Sequence, residues 1–326
     1  MESALNNRFH LRPIDDCGKP NMPIFILYIL AHIIALCLNY LLAFLASKLK
    51  AKQACTILLI AFSLANLLMS ATSVFSDFHK LYLLIHNDDE QAVTPLECLS
   101  RRPELFISLF SGNLSALLVL CMSLERMTWL SRLKMHTYLF TPQRTKLVCL
   151  VAGMISGAML LFCFNDIAKS STFLRPLQCS IHTIISPMLY RNMTYWNLSV
   201  SYFVGIIYLI AYFVYWYKKR RAHTQLQSLQ VRRDEAYTRS LAIIMLLTIA
   251  LHVFPRTLIL LINENQEATI SLGNRLALLK HIVWIFTPLI YFCSNPDIKE
   301  QFCKLLASNQ WLKNRMRQQS SVVYIG

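Results

Sequence analysis

The chain has 326 residues, of which 55% are hydrophobic and only 15% charged, with a mean hydropathy of +0.43 and a formal net charge of +15. So much apolar surface excludes a soluble globular domain and indicates an all-α protein that crosses a bilayer several times. The basic excess does not indicate nucleic acid, because the positive residues flank apolar runs, where anionic lipid headgroups are sufficient partners.

Apolar runs long enough to cross roughly 30 Å of hydrocarbon as helices occur at about 23–47, 54–76, 104–129, 145–165, 198–217, 238–262 and 273–294. Residues 1–22 are polar and contain Pro13, Asp15 and Asp16. They lack the basic start, short apolar middle and small-residue cleavage site of a secretory signal, so the first span is expected to direct its own insertion. Seven spans put the termini on opposite sides. With the N-terminus outside, the inner segments hold twenty basic residues against five acidic, the outer ones eleven against twelve, and Arg256 lies inside the sixth span. That asymmetry favours an outside N-terminus. The expected layout is an extracellular segment over 1–22, a seven-helix transmembrane domain over 23–294, and an amphipathic helix with a short cytoplasmic tail over 295–326.

In chain order, Asn39 stands in the first span, and the second carries Ser63, Leu64, Ala65 and Asn66. Leu81 to Ile85 can extend the second helix into a long outer segment, 77–103, that also holds the acidic patch Asp88, Asp89 and Glu90. The third span has Ser108, Ser111 and Ser115 and ends in Glu125-Arg126, an acid-base pair at the inner membrane edge. An arginine there can simply snorkel to phosphate. Asp166 and Lys169 close the fourth span. Of the sequons, Asn192-Met-Thr is the glycosylation candidate, Asn197-Leu-Ser lies almost at the membrane, and Asn113-Leu-Ser is inside the third span.

The third inner loop opens with Lys218, Lys219, Arg220 and Arg221 and closes with Arg232, Arg233, Asp234 and Glu235. Such ends anchor helices at the headgroups and also offer a docking surface for a cytoplasmic partner. The sixth span has Pro255 followed by Arg256, and the seventh has Lys280 and His281. The seventh ends Thr287-Pro288-Leu289-Ile290-Tyr291, followed by Asn295, Ile298, Lys299 and Phe302. From Pro296 onward, Ile298, Phe302, Leu305 and Leu306 share one helical face. A short helix lying in the membrane interface is expected, with Pro at its first turn.

The closing pattern resembles the N-P-x-x-Y signature and following amphipathic helix of rhodopsin-like G-protein-coupled receptors. Two further offsets agree: Pro255 matches the family's kink proline, and Glu235, twenty residues before it, stands where many members place an acid that pairs with the third-helix Arg. Asn39, Asn66 and Ser115 resemble the family's mid-membrane polar positions and, with Thr287, are expected to form a water-bridged cluster. Asn66 is neutral and Thr287 replaces Asn, so the family's sodium site should be weak or absent. The resemblance implies a Cys98–Cys179 bridge from the third span to the second outer loop, leaving Cys17 over. Met127, Val253, a fourth span without Trp and a fifth without Pro depart from the family pattern.

What the resemblance implies is a receptor without catalytic chemistry, cofactor or metal, in the plasma membrane. A ligand in the outer half of the bundle would favour outward movement of the sixth span about Pro255, inward turning of Tyr291 and release of Arg126 from Glu125 and Glu235 toward a heterotrimeric G protein. Ser108 stands where aminergic receptors carry an Asp, and His281 where opsins carry the retinal Lys, which disfavours a biogenic amine and a photopigment. Ser108, Ser111, Arg256, Lys280 and His281 are the ligand-pocket candidates, and Arg256 with Lys280 facing the cavity would favour an anionic or strongly hydrogen-bonding ligand. Alternatively, Arg256 pairs with Glu264 or Glu267. The basic inner loops and short tail look like the divergent serpentine chemoreceptors of nematodes. A divergent peptide receptor is the next reading. A seven-span transporter or channel stays open, although inverted repeats, broken helices and a polar pore ring are not evident.

Overall fold

The structure is a computed structural model that describes residues 22–49, 53–86, 92–131, 133–169, 175–176, 179, 181–221, 242–261 and 282–308. These residues form helices, with one two-residue antiparallel ladder. Five helices are long and apolar enough to span a membrane. They are α1 (Met22–Ser47), α2 (Ala54–His86), α4 (Glu104–Ser131), α6 (Pro142–Lys169) and α8 (Pro187–Arg221). Two shorter apolar helices accompany them: α9, over 242–261, and α10, Ile282–Ser294. Residues 238–241 and 262 of the expected sixth span and 273–281 of the expected seventh lie outside the described residues.

The chain alternates direction, so one end of the bundle collects the residues around Cys98 and the other those around Arg126. Helix α4 is central, packing on α2, α6 and α8. Leu42, Leu58, Leu118, Val204, Ile244 and Tyr291 belong to one apolar core toward the Arg126 end. A second core, with Leu83, Leu99, Leu105, Ile167 and Ile184 of the one-turn helix α7 (Ile181–Ile184), lies at the disulfide end. Helix α2 does run on through Leu81–Ile85 to His86, as the sequence allowed. Helix α8 begins at Pro187, well before the apolar run at 198. Ser186 explains that start: its hydroxyl accepts from Leu189 N–H at 3.3 Å, an N-cap. Its own N–H donates to the Asp166 carboxylate at 2.6 Å, so Asp166 ties α6 to the start of α8.

The disulfide end is closely tied. Cys98, in the short helix α3 (Pro95–Arg101), is bonded to Cys179. Thr94 caps α3 by accepting from Glu97 N–H at 3.2 Å, and Pro95 takes its first turn, where a missing N–H costs nothing. Strands β1 (Ala92–Val93) and β2 (Arg175–Pro176) pair beside the disulfide. Arg102 is 0% exposed. It donates to Glu104 Oε1 at 2.8 Å, Ser76 Oγ at 2.6 Å and the Cys179 carbonyl at 3.0 Å. One guanidinium thereby joins α2, α4 and the Cys179 segment, whose left-handed φ of 36° places that carbonyl within its reach.

At the opposite end, helix α5 (Leu133–Leu139) follows α4, and α11 (Pro296–Ser308) follows α10. Asn295 caps α11, its Oδ1 accepting from Asp297 and Ile298 N–H at 3.0 and 3.3 Å. Ile298 is fully buried in the larger core, Phe302 stacks on Phe292, and Leu305 is exposed. The apolar face read from the sequence is thus split: its first turn anchors α11 to the bundle, and its last turn leaves Leu305 exposed.

Candidate functional site

The Glu125-Arg126 pair sits in the last turns of α4, where both side chains are buried. Glu125 Oε2 lies 3.1 Å from Arg126 Nε, but that oxygen has no aligned hydrogen bond, so the approach is a charge contact. The other oxygen, Oε1, is hydrogen-bonded at 2.9 Å to Nε2 of His136 on α5. His136 is itself buried, edge-on to Trp129 at 4.8 Å and stacked with Phe140 at 5.6 Å. Glu125 therefore divides between a cation on its own helix and a histidine brought back by α5. His136 had not been singled out from the sequence; a histidine ten residues beyond Arg126 becomes legible only once α5 folds back. Glu235, expected as the second partner of Arg126, lies outside the described residues.

Tyr291, near the end of α10, is buried, and its hydroxyl points to Met122 Sδ on α4 at 4.0 Å. Tyr208 on α8 is buried in the same core, within electrostatic reach of Tyr291, Arg126 and Glu125, and its hydroxyl has no hydrogen-bond partner. Nothing local in the sequence separates Tyr208 from the other aromatics of this apolar helix.

Pro255 falls just beyond a π-helical turn, Ile249–Val253. Phe254 N–H reaches five residues back to the Ile249 carbonyl. Proline has no N–H for the carbonyl four residues before it and its ring crowds that carbonyl, and a widened turn is one way a helix relieves both. Gly205 of α8 faces the π turn, and a Cβ there would stand 3.1 Å from Ile249 Cδ1. The helix is held beside the distortion by a Tyr202–Thr257 hydroxyl bond of 2.7 Å. Pro288 is buried within α10, between Thr287 and Tyr291.

The mid-bundle polar residues are all buried but divide differently from the expected cluster. Ser115 Oγ donates to Asn66 Oδ1 at 2.8 Å, joining α4 to α2. Asn39 Nδ2 instead donates along α1 to Ala35 O at 2.8 Å and across to Trp284 O at 3.4 Å. Thr287 bonds the Val283 carbonyl of its own helix at 2.8 Å. A second group was missed entirely: His32 Nδ1 and Asp77 Oδ2 are 2.7 Å apart and buried between α1 and α2, with the His32 ring 5.8 Å from that of Trp284. Ionisable residues inside spans are costly enough to be functional candidates on sight, a signal that His32 carries; Asp77 stands one residue past the expected span and joins the helix only because α2 runs on to His86.

A cavity of about 340 Å³ opens among α2, α4, α8, α9 and α10. Asn66, Ser115 and Thr287 line it, as do Ser108, Asn113 and Trp284. Ser111 does not: it is wholly buried and donates to the Ser108 carbonyl at 3.1 Å. Lys280 and His281 lie outside the described residues, and so does the side chain of Arg256. Asn192 is exposed on the first turns of α8, whereas Asn197 lines the cavity.

No protein-family model matches this chain, and a search of curated proteins finds no match either.

Proposed function

We propose that the chain is a receptor of the rhodopsin-like G-protein-coupled kind, with its N-terminus outside the plasma membrane and Asn192 glycosylated. It binds an extracellular ligand, of the small-molecule chemosensory class, in the mid-bundle cavity and signals to a heterotrimeric G protein at the Arg126 end. The observation that carries this reading is the buried Glu125–Arg126–His136 group, set beneath Tyr291 and Tyr208 with several hydrogen-bonding atoms unspent. In the closed state Glu125 and His136 hold the inner end of α4, and Glu235 adds a second carboxylate for Arg126. Ligand in the cavity favours a second arrangement: α9 swings about the π turn and Pro255, Arg126 leaves Glu125, and the Tyr208 and Tyr291 hydroxyls become available to its guanidinium. This is a population shift, whose size is set by the ligand's preference for the open state.

The test is guanine-nucleotide exchange on a panel of co-expressed G proteins, in membranes carrying the native chain, Glu235→Ala or Arg126→Ala. The receptor reading expects exchange above background, raised modestly by Glu235→Ala and lowered by Arg126→Ala. No exchange from any well-inserted variant would remove the reading and leave transport or ion flux to be assayed.

A further inference from the structure

We infer that the mid-bundle cavity takes an uncharged, mostly apolar ligand carrying one hydrogen-bond-accepting oxygen, and that the amide of Asn113 is the donor that recognises it. This rests on the receptor reading for its consequence in signalling, but the site stands on its own geometry.

Size comes first. At about 340 Å³ the cavity holds the volume of roughly eleven waters, and so a ligand of about that many heavy atoms rather than a peptide. Charge comes second. Among the described lining residues there is no Asp, Glu, Lys, Arg or His, and an ion brought into such a wall would lose its hydration without meeting a counter-charge. The side chains that do line it include Phe62, Met69, Val200, Val204, Met245 and Trp284, a surface suited to a hydrocarbon body.

Hydrogen-bonding capacity comes third, and it is lopsided. Most of the hydroxyls in the wall have already committed their protons. Thr194, Ser201, Thr248 and Thr287 donate to the carbonyls of Tyr190, Asn197, Ile244 and Val283 at 2.8–2.9 Å. Ser115 donates to Asn66. Asn113 differs. It is 2% exposed, it stands in the cavity wall, and its Nδ2 has no hydrogen-bond partner. A buried amide N–H without a partner is costly, and in the proposed complex the Asn113 side chain, already in the cavity wall, turns to meet a ligand oxygen there. A ligand oxygen there would satisfy it, while an alkane of the same shape would leave it orphaned. The discrimination is between two neutral molecules, which is why the donor matters more than the cavity's volume.

Gly112, the neighbour of Asn113, supplies an independent handle. It lines the same cavity, and a Cβ built on it meets nothing closer than Met69 Sδ at 3.6 Å. A larger side chain there enters the cavity without displacing backbone.

The experiment is saturable binding of tritiated methyl heptyl ketone to the purified full-length chain in lipid nanodiscs, with empty discs subtracted. Unlabelled decane, nonanoate and nonylamine are the competitors. Expected are saturable uptake, weak competition by decane, none by either ion, and a loss of affinity of about ten-fold in Asn113→Leu, the worth of one hydrogen bond to a neutral group. Gly112→Leu should abolish uptake while leaving the amide in place, which keeps the test decisive if Asn113→Leu does not fold. The inference is overturned by absent uptake, by competition from nonanoate or nonylamine as strong as from unlabelled ketone, by decane binding equally well, or by undiminished affinity in Asn113→Leu. Binding as expected with no change in nucleotide exchange would keep this site and remove the receptor reading. Basal exchange that falls in Arg126→Ala, with no ketone uptake, would do the reverse.

Discussion

The two ends of the bundle treat their buried polar groups in opposite ways. At the disulfide end, Arg102 spends its donors on Glu104, Ser76 and the Cys179 carbonyl, and the covalent Cys98–Cys179 link closes the same corner. From mid-bundle to the Arg126 end, buried atoms of Asn39, Ser70, Asn113, Glu125, His136, Tyr208 and Asn295 lack hydrogen-bond partners. Among the described residues, no such orphan belongs to the disulfide corner. A satisfied network has one good arrangement; a network with spare donors and acceptors can exchange partners at small cost. The first end is built to stay, and the second has the means to move.

Breaking the rigid end should have the largest effect. Arg102→Met removes one partner of a buried pair and leaves Glu104 uncompensated, so stability should fall by about 3–5 kcal/mol, measured as thermal unfolding of purified protein in detergent. Loss of no more than a surface pair's worth would mean that the corner does not depend on this guanidinium. Cys98→Ser together with Cys179→Ser should cost about 2–5 kcal/mol, and reducing agent should lower the unfolding temperature of the native chain but not of the double variant.

Changes at the mobile end should alter the balance of states more than stability. His136→Ala leaves Glu125 Oε1 without its partner, a disturbance of about 1–3 kcal/mol, and is expected to raise basal nucleotide exchange, with His136→Gln intermediate. Equal exchange in all three proteins would show that α5 does not hold the pair. Tyr291→Phe removes the hydroxyl that reaches Met122 Sδ, and ligand-driven exchange should fall by more than unfolding shifts. A fall in stability larger than the fall in signalling would make the hydroxyl a packing group. The smallest effect belongs to Glu300, paired at the surface with Lys304 at 2.5 Å. The Lys304 ammonium holds its carboxyl below the usual carboxylate range. A depressed carboxylate contributes above its unfolded pKa and loses that contribution only as pH falls through the folded value. Between about pH 6 and 8 the carboxylate stays ionised, so the difference in unfolding temperature between Glu300→Gln and the native chain should be small and constant across that window; a pH-dependent difference there would contradict the assignment.

How far the sequence carried depends on where each signal resides. The amphipathic helix at 296–308 was legible down to Ile298 and Phe302, because Asn295, Pro296 and a four-residue apolar spacing are local. The extension of α2 was legible for the same reason. The early start of α8 was not, since it depends on Asp166 of another helix meeting the Ser186 N–H. Asn113 was dismissed because it lay inside a span, yet that burial, beside a cavity, is what gives its amide a use. His136 and the His32–Asp77 pair were titratable residues whose partners lie on other elements.

Taken alone, the sequence determined that this is a multi-pass helical membrane protein, roughly where its apolar helices run, and which helices carry Glu125, Arg126, Pro255 and Tyr291. Hydrophobic length and helix-ending chemistry act within a few residues, and a linear reading captures both. The tertiary structure decided which face of each helix meets which neighbour. In a bilayer, lipid is as apolar as a protein core, so hydrophobicity does not mark the inward side. Only the packed bundle sets Asn66 against Ser115, Glu125 against His136, and Asn113 at the edge of a cavity.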